Sequence, residues 1–204
     1  KRTMPTPLSQ LSNEELWQLF PIILSEHKPE WGELYLSEKK LLKTHLSNNI
    51  ARINHIGSTA VPGLIAKPTI DILMEIKNST DLTQLVFTIE SLGYIYSEQP
   101  NNPPPHIMFM KGYTPECFKG HAFHLHVRYL GDWNEPYFCR YLQKHPKIAH
   151  QYGELKTKLK EQSTHNRDGY TQAKSYFIQT ITERARRKSN ILHQKNTNEL
   201  MSSL

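Results

Sequence analysis

The stretch NHIGSTAVPGLIAKPTIDILME, from Asn54 to Glu75, decides how the rest of this chain is read. Its first half ends a short apolar run in Gly57-Ser58, its middle is punctuated by Pro62, Gly63 and Pro68, and its second half places one acid, Asp71, among isoleucines. Glycine permits backbone angles closed to other residues, and hydroxyls in a tight turn can surround an anion. A carboxylate buried in a strand costs several kcal/mol unless it is paired, hydrogen-bonded or bound to metal. The pairing of a Gly-Ser turn with a strand acid thirteen residues later therefore points to a phosphate site with an acid beside it.

Around this stretch the chain alternates strand and helix patterns. Ser12 to Glu15 has the spacing of a capping box and opens a short helix that Pro21 stops. PIIL, from Pro21 to Leu24, reads as a strand, and Pro29 begins a helix whose apolar face (Trp31, Leu34, Tyr35, Leu41, Leu42, Leu46) continues to Asn48. ARINHI and TIDILMEI read as strands, and TDLTQLVFTIESLGY as a helix with Thr80 near its start and Gly93 near its stop. NNPPPH reads as a loop, HIMFMKGY and AFHLHVRYL as strands joined by TPECFKG, and from Asp132 onward helical patterns dominate. Residues 189–204 are polar and are expected to fray. Trp31 and Trp133 each open a helical pattern and read as packing residues.

Composition narrows the function classes. The chain has 204 residues, enough for one domain with a real core, and its mean hydropathy is −0.61. No apolar run reaches the ~18 residues of a membrane helix, so no membrane partner is expected. The opening KRTMPTPL lacks an apolar signal core and starts at Lys1, which reads as a trimmed chain with a cytoplasmic location. Cys117 and Cys139 have no metal-binding or disulfide spacing and read as inert thiols. The net charge of +6 and pI near 9.2 favour a polyanionic partner only where charge is clustered. Arg184, Arg186, Arg187 and Lys188 form one such run without interleaved aromatics, so RNA is weakly supported and a solvated helix end is the plainer reading.

The segment HIGSTAVPGLIAKPTIDI resembles the signature of the GrpB-like family, a branch of the polymerase-beta-type nucleotidyltransferases. The resemblance extends through HKPEW, HLHV, KHP, YGELK and the Tyr170–Phe177 pattern, from about Ile22 to Arg187. It implies an α/β (α+β) fold: a small mixed sheet flanked by helices, with a helical C-terminal half. Residues 1–21 would be an extension, 22–188 the nucleotidyltransferase-like domain and 189–204 a tail. It further implies nucleotide phosphates at the Gly-Ser turn, divalent metal on strand acids, and transfer of a nucleotidyl group to an acceptor.

Two departures stand out. The second acid of the superfamily pattern would lie two residues after Asp71, on the same strand face, and that position is Leu73. Glu75 shares the face but lies about 13 Å along the strand, too far for a shared ion. The FRDYLR-like segment of relatives is FCRYLQ at Phe138–Gln143.

His124 and His126 alternate across Leu125, at the place where the superfamily offers a third acid, and with Asp71 they form a candidate metal set. Imidazole favours Mn²⁺ or Zn²⁺ over Mg²⁺. His55, Gly57, Ser58, Thr59, Lys67 and Lys174 are the candidate phosphate or nucleotide contacts, although His55 also reads as a cap for the turn and the two lysines as solvated. The expected function is binding of a nucleotide or other phosphorylated ligand, with nucleotidyl transfer by Asp71 and its metal. The alternatives are a degenerate phosphate-ligand or RNA-binding module and a metal-dependent hydrolase.

Overall fold

A computed structural model describes residues 7–97, 99, 102, 106–162 and 167–202. Their strands are β1 (Ile50–Ile56), β2 (Thr69–Ile76), β3 (Ile95–Ser97), β4 (Ile107–Thr114) and β5 (Cys117–Tyr129). The helices are α1 (Asn13–Leu19), α2 (Glu30–Leu46), α3 (Leu82–Ser91), α4 (Asn134–Lys144), α5 (Pro146–Gln162) and α6 (Arg167–Ser202). The sheet is mixed, in the order β1-β2-β5-β4-β3, with β2 and β5 parallel and the other neighbours antiparallel. This is the α/β architecture expected, with long helices in the C-terminal half.

Alternation along β2 sorts the two faces of the sheet. Ile70, Ile72, Met74 and Ile76 join Leu125 and Val127 of β5, and α2 and α3 cover them with Trp31, Tyr35, Leu42, Leu85 and Ile89. Each such aliphatic side chain removed from water contributes about 1.5–3 kcal/mol. Asp71, Leu73 and Glu75 point to the other face, where β5 sets His124, His126 and Arg128 in register beside them. Helices α4, α5 and α6 build a second core with Val61 and Leu64, which anchors them beside the turn that follows β1.

Local chemistry explains most boundaries. Ser12 and Glu15 form the capping box of α1, with Ser12 Oγ accepting from the Glu15 N–H and the Glu15 carboxylate accepting from the Ser12 N–H. Asp81, one residue beyond the expected Thr80, caps α3 by accepting from the Gln84 N–H at 3.1 Å.

Two expectations change, and the last helix runs further than its polar sequence suggests. Pro21–Leu24 is not a strand: Ile22 is buried and Ile23 is 50% exposed, so the alternation is present. Among the described residues the nearest pairing is the bridge between Ser25, which follows it, and Ala66. TPECFKG is not a loop throughout, since β5 already begins at Cys117 and only Pro115 and Glu116 turn. The stretch from 189 is helical as far as Ser202, where α6 ends, with Ile191 and Leu192 exposed. Most of the NNPPPH loop lies outside the described residues.

Candidate functional site

Asp71 sits near the start of β2, where Ile56 of β1 and His124 of β5 are its register partners. Its Oδ1 lies 3.4 Å from His124 Nδ1 and 3.3 Å from His126 Nε2. Around a tetrahedral ion with bonds of about 2.0–2.1 Å, neighbouring donor atoms stand about 3.3–3.4 Å apart. The donor spacing of this cluster therefore fits a single divalent ion, and one atom from each of the three residues can be chosen so that all lie within 4.8 Å of one another. Among the described residues this is the one His/Cys/Asp/Glu group with that spacing.

The shell around the cluster orients it. Tyr113 OH is 2.8 Å from His124 Nε2, and the two rings stack with centroids 5.7 Å apart. With Nε2 engaged, Nδ1 of His124 is the nitrogen presented to Asp71, the arrangement by which a hydrogen bond fixes a ligating imidazole. A register break at Gly112, between Lys111 and Tyr113, precedes this contact. Gly112 has φ 91°, and an added Cβ would lie 2.3 Å from the His121 carbonyl oxygen, so no other residue fits there. Phe20, just after α1, packs edge-on against Tyr113 at 5.1 Å, so the N-terminal extension supports the cluster as well.

Electrostatics favour an ionised Asp71. Burial would raise its pKa, but the hydrogen bonds that His124 and His126 donate hold the carboxyl well below the usual carboxylate range. Desolvation lowers His124 in turn, against the pull of Asp71, which favours the neutral imidazole that metal binding requires.

The Gly-Ser turn closes over the carboxylate. Gly57 has φ 73° and ψ −172°, a region essentially reserved for glycine, and Ser58–Ala60 follow as one turn of 3-10 helix. Gln143 of α4 donates to the Ala60 carbonyl at 2.8 Å, so one departure in the FCRYLQ segment holds the turn itself. Ser58, Thr59, Lys67, Asp71, His124, His126 and Lys174 line one cavity of about 410 Å³. Lys174 lies over the Tyr170 ring at 4.5 Å.

His55 stands apart from this group. It projects to the α2 side of β1, stacks on Tyr35 at 4.8 Å and bonds through Nε2 to Thr59 Oγ1 at 3.0 Å. Thr59 Oγ1 donates onward to the Thr69 carbonyl at 3.1 Å. Burial lowers the His55 pKa to about 4, so the ring is neutral, and its bond to Thr59 ties it to the turn.

Sequence reasoning missed Lys156. This α5 residue is 2% exposed, donates to Ser58 Oγ at 3.0 Å and to the Ile65 carbonyl, and lines the same cavity. The available signal was its spacing from Ala149 and Tyr152, which puts Lys156 on the buried face of α5.

Leu73 is fully buried, and Glu75 is committed elsewhere. Arg52 grips both Glu75 oxygens at 2.5 and 2.7 Å, and the Gly131 N–H donates to Oε1 at 3.1 Å. In the basic run, Arg186 binds Asp132 at 2.5 Å and Asn134 at 2.7 Å, and Lys188 meets His145 at 3.1 Å. Two of those four cations thus dock α6 on its neighbours.

Fold and cluster together define an α/β protein with one Asp/His/His group on the sheet face turned toward a C-terminal helical layer. The GrpB protein family model matches residues 21–184, and the chain belongs to that family. A UPF0157 protein of Pseudomonas aeruginosa is 36% identical over 159 residues, covering 77% of this chain and 64% of that protein. The chain thus spans about two thirds of that relative's length. The glutamate-rich protein GrpB of Alkalihalophilus pseudofirmus is 32% identical over 165 residues, or 78% and 93% of the two chains. The crystal structure of the conserved protein GrpB from Enterococcus faecalis superposes with a TM-score of 0.72 at 30% identity, covering 82% of this chain and 99% of that one. Among the described residues no helix is long and apolar enough to cross a membrane.

Proposed function

We propose that this chain is a nucleotidyltransferase-like protein that binds a nucleotide or similar phosphorylated molecule together with one divalent ion. The observation that carries the reading is the sharing of one cavity by the Asp71, His124 and His126 cluster, the Ser58 hydroxyl, and Lys67 and Lys174. Asp71 and the two imidazoles hold the ion, with Mn²⁺ or Zn²⁺ favoured by the donor set and Mg²⁺ less suited. When bound, the ion supplies Lewis-acid charge beside a phosphoryl oxygen. Ser58 positions phosphate oxygens, and Lys67 and Lys174 offset their charge. In nucleotidyl transfer, an acceptor hydroxyl attacks the α-phosphate in line and the remaining phosphates depart.

A second reading, binding without turnover, draws on Leu73. The residue expected to supply a second carboxylate is a buried leucine, and Arg52 holds the next acid on that face, Glu75. RNA is the less supported partner, since Arg186 and Lys188 of the basic run are engaged within the fold.

Thermal shift with each nucleoside triphosphate, alone and with Mg²⁺, Mn²⁺ or Zn²⁺, tests the site. A ligand at 100 times its dissociation constant adds about 2.7 kcal/mol of stability. Stabilisation that needs both nucleotide and metal supports the reading, and no response to any pair contradicts it. Mass analysis of acceptor mixtures incubated with labelled nucleotide separates transfer from binding.

A further inference from the structure

The Asp71 cluster stands between two cavities. The second measures about 740 Å³ and shares Ser58, Asp71, His126 and Lys174 with the first. Its floor is apolar, with Ile56 and Phe138 buried and Ile178 packed into the second core. Its rim is an exposed stripe of α6, where Ser175, Gln179 and Glu183 follow at four-residue spacing and so lie on one side of the helix. Two charges of this wall are matched: Arg128 grips both oxygens of Glu135 at 2.7 and 2.9 Å, and Arg186 is held by Asp132 and Asn134. Glu183 is not, since its partner among the described residues is the neutral amide of Gln179, at 3.2 Å. A lone exposed carboxylate is common and by itself marks nothing. Its position is informative here, because α6 rises about 13 Å from Lys174, at the shared end, to Glu183. An elongated space with an apolar floor thus runs from the cluster to a negative charge that no cation matches.

We propose that this second cavity takes the acceptor, and that the acceptor is an elongated hydroxyl amine. Its ring lies on the floor of Ile56, Phe138 and Ile178, its hydroxyl reaches the Asp71 and His126 end, and its ammonium pairs with Glu183. The proposal rests on the reading of the cluster as a nucleotidyl-transfer site, and it supplies the acceptor class which that reading leaves open. An acceptor bearing a phosphate or carboxylate at its far end sets like charges together at Glu183, and a neutral one leaves Glu183 as it is. In the transfer, the acceptor oxygen bonds to the α-phosphorus while the bond from that phosphorus to the departing phosphates breaks, and the hydroxyl proton leaves with them.

Ligand-observed NMR with three molecules of one shape tests this: tyramine, which ends in an ammonium, tyrosol, which ends in a neutral hydroxyl, and para-hydroxyphenylacetate, which ends in a carboxylate. Saturation-transfer titrations with metal-free protein give the affinities. Tyramine is expected to bind at least about fivefold more tightly than the other two, and Glu183→Gln, a change on an exposed helix face, should bring it down to the tyrosol value. With Mn²⁺-loaded protein, the tyramine ring protons beside the hydroxyl should broaden more than the methylene protons beside the ammonium. Equal affinity for the three molecules, no binding of tyramine, or wild-type tyramine affinity in Glu183→Gln overturns the acceptor site, as does Mn²⁺ broadening centred on the ammonium end. The nucleotide and metal reading then still stands or falls on its own thermal-shift test. Tyramine binding that depends on Glu183 in a protein that takes up no Mn²⁺ supports the amine site and counts against the metal reading alone.

Discussion

The carboxylate of Asp71 lies directly beneath Gly57: a Cβ built on that glycine would stand 2.7 Å from Asp71 Oδ2. One oxygen of the acid faces the histidine pair and the other faces the turn, so the two halves of the opening motif meet at a single side chain. Gly57→Ala should both strain the backbone and push Asp71 out of register with its histidines. The expected loss is about 2–3 kcal/mol in chemical denaturation, with metal affinity falling at least about tenfold. Wild-type metal affinity in a folded Gly57→Ala protein would show that turn and carboxylate act independently.

Tyr113→Phe removes only the hydroxyl that bonds His124 Nε2. The ring still packs against Phe20 and His124, so the melting temperature should change little. Metal affinity should fall by about 10- to 100-fold, as for other losses of a group that orients a ligating imidazole. Unchanged metal binding in this variant would place His124 outside the ligand set.

The outline of the fold was legible in the sequence, because period-two runs such as TIDILMEI and the apolar stripe from Trp31 to Leu46 are strong signals. Asp71, His124 and His126 were legible too, since strand parity places them on one face and a single acid among isoleucines is costly. Three things were not. Pro21–Leu24 alternates like a strand yet has no partner strand among the described residues, and pairing is not written in local pattern. His55 has the same local signature whether it binds phosphate or caps Thr59, and only the strand face decides. Lys156 is ninety-eight residues from Ser58, so its burial against the turn depends on how α5 docks on that segment.

Lys156 should also set a pH dependence of stability. Its folded pKa of about 7 lies below the ordinary lysine value, so above pH 7 the folded protein binds fewer protons than the unfolded chain. Stability therefore rises with pH across this window, by about 1.4 kcal/mol per unit, until the unfolded lysine also deprotonates near pH 10.4. Relative to wild type, Lys156→Met should be most favoured below pH 7 and lose that advantage as pH rises from about 7.5 to 10. Urea denaturation of both proteins over that range checks the slope. Parallel curves would mean that Lys156 is charged throughout.

Arg52 and Glu75 are expected to matter to the fold and not to the metal. Arg52→Ala leaves the fully buried Glu75 with the Gly131 N–H as its remaining partner, at a cost of about 3 kcal/mol. Divalent-ion affinity should stay at the wild-type value, because the cluster uses Asp71 and two histidines. A stable Arg52→Ala protein with weakened metal binding would reverse that assignment.

Calorimetric titration of Mn²⁺ or Zn²⁺ into wild-type and Asp71→Asn protein asks whether Asp71, His124 and His126 hold one divalent ion. Asparagine keeps the shape of the side chain and removes its charge, so the fold should persist. The expected result is one ion per wild-type chain and no measurable binding in folded Asp71→Asn. Two ions per chain, or binding that survives Asp71→Asn, would contradict the account.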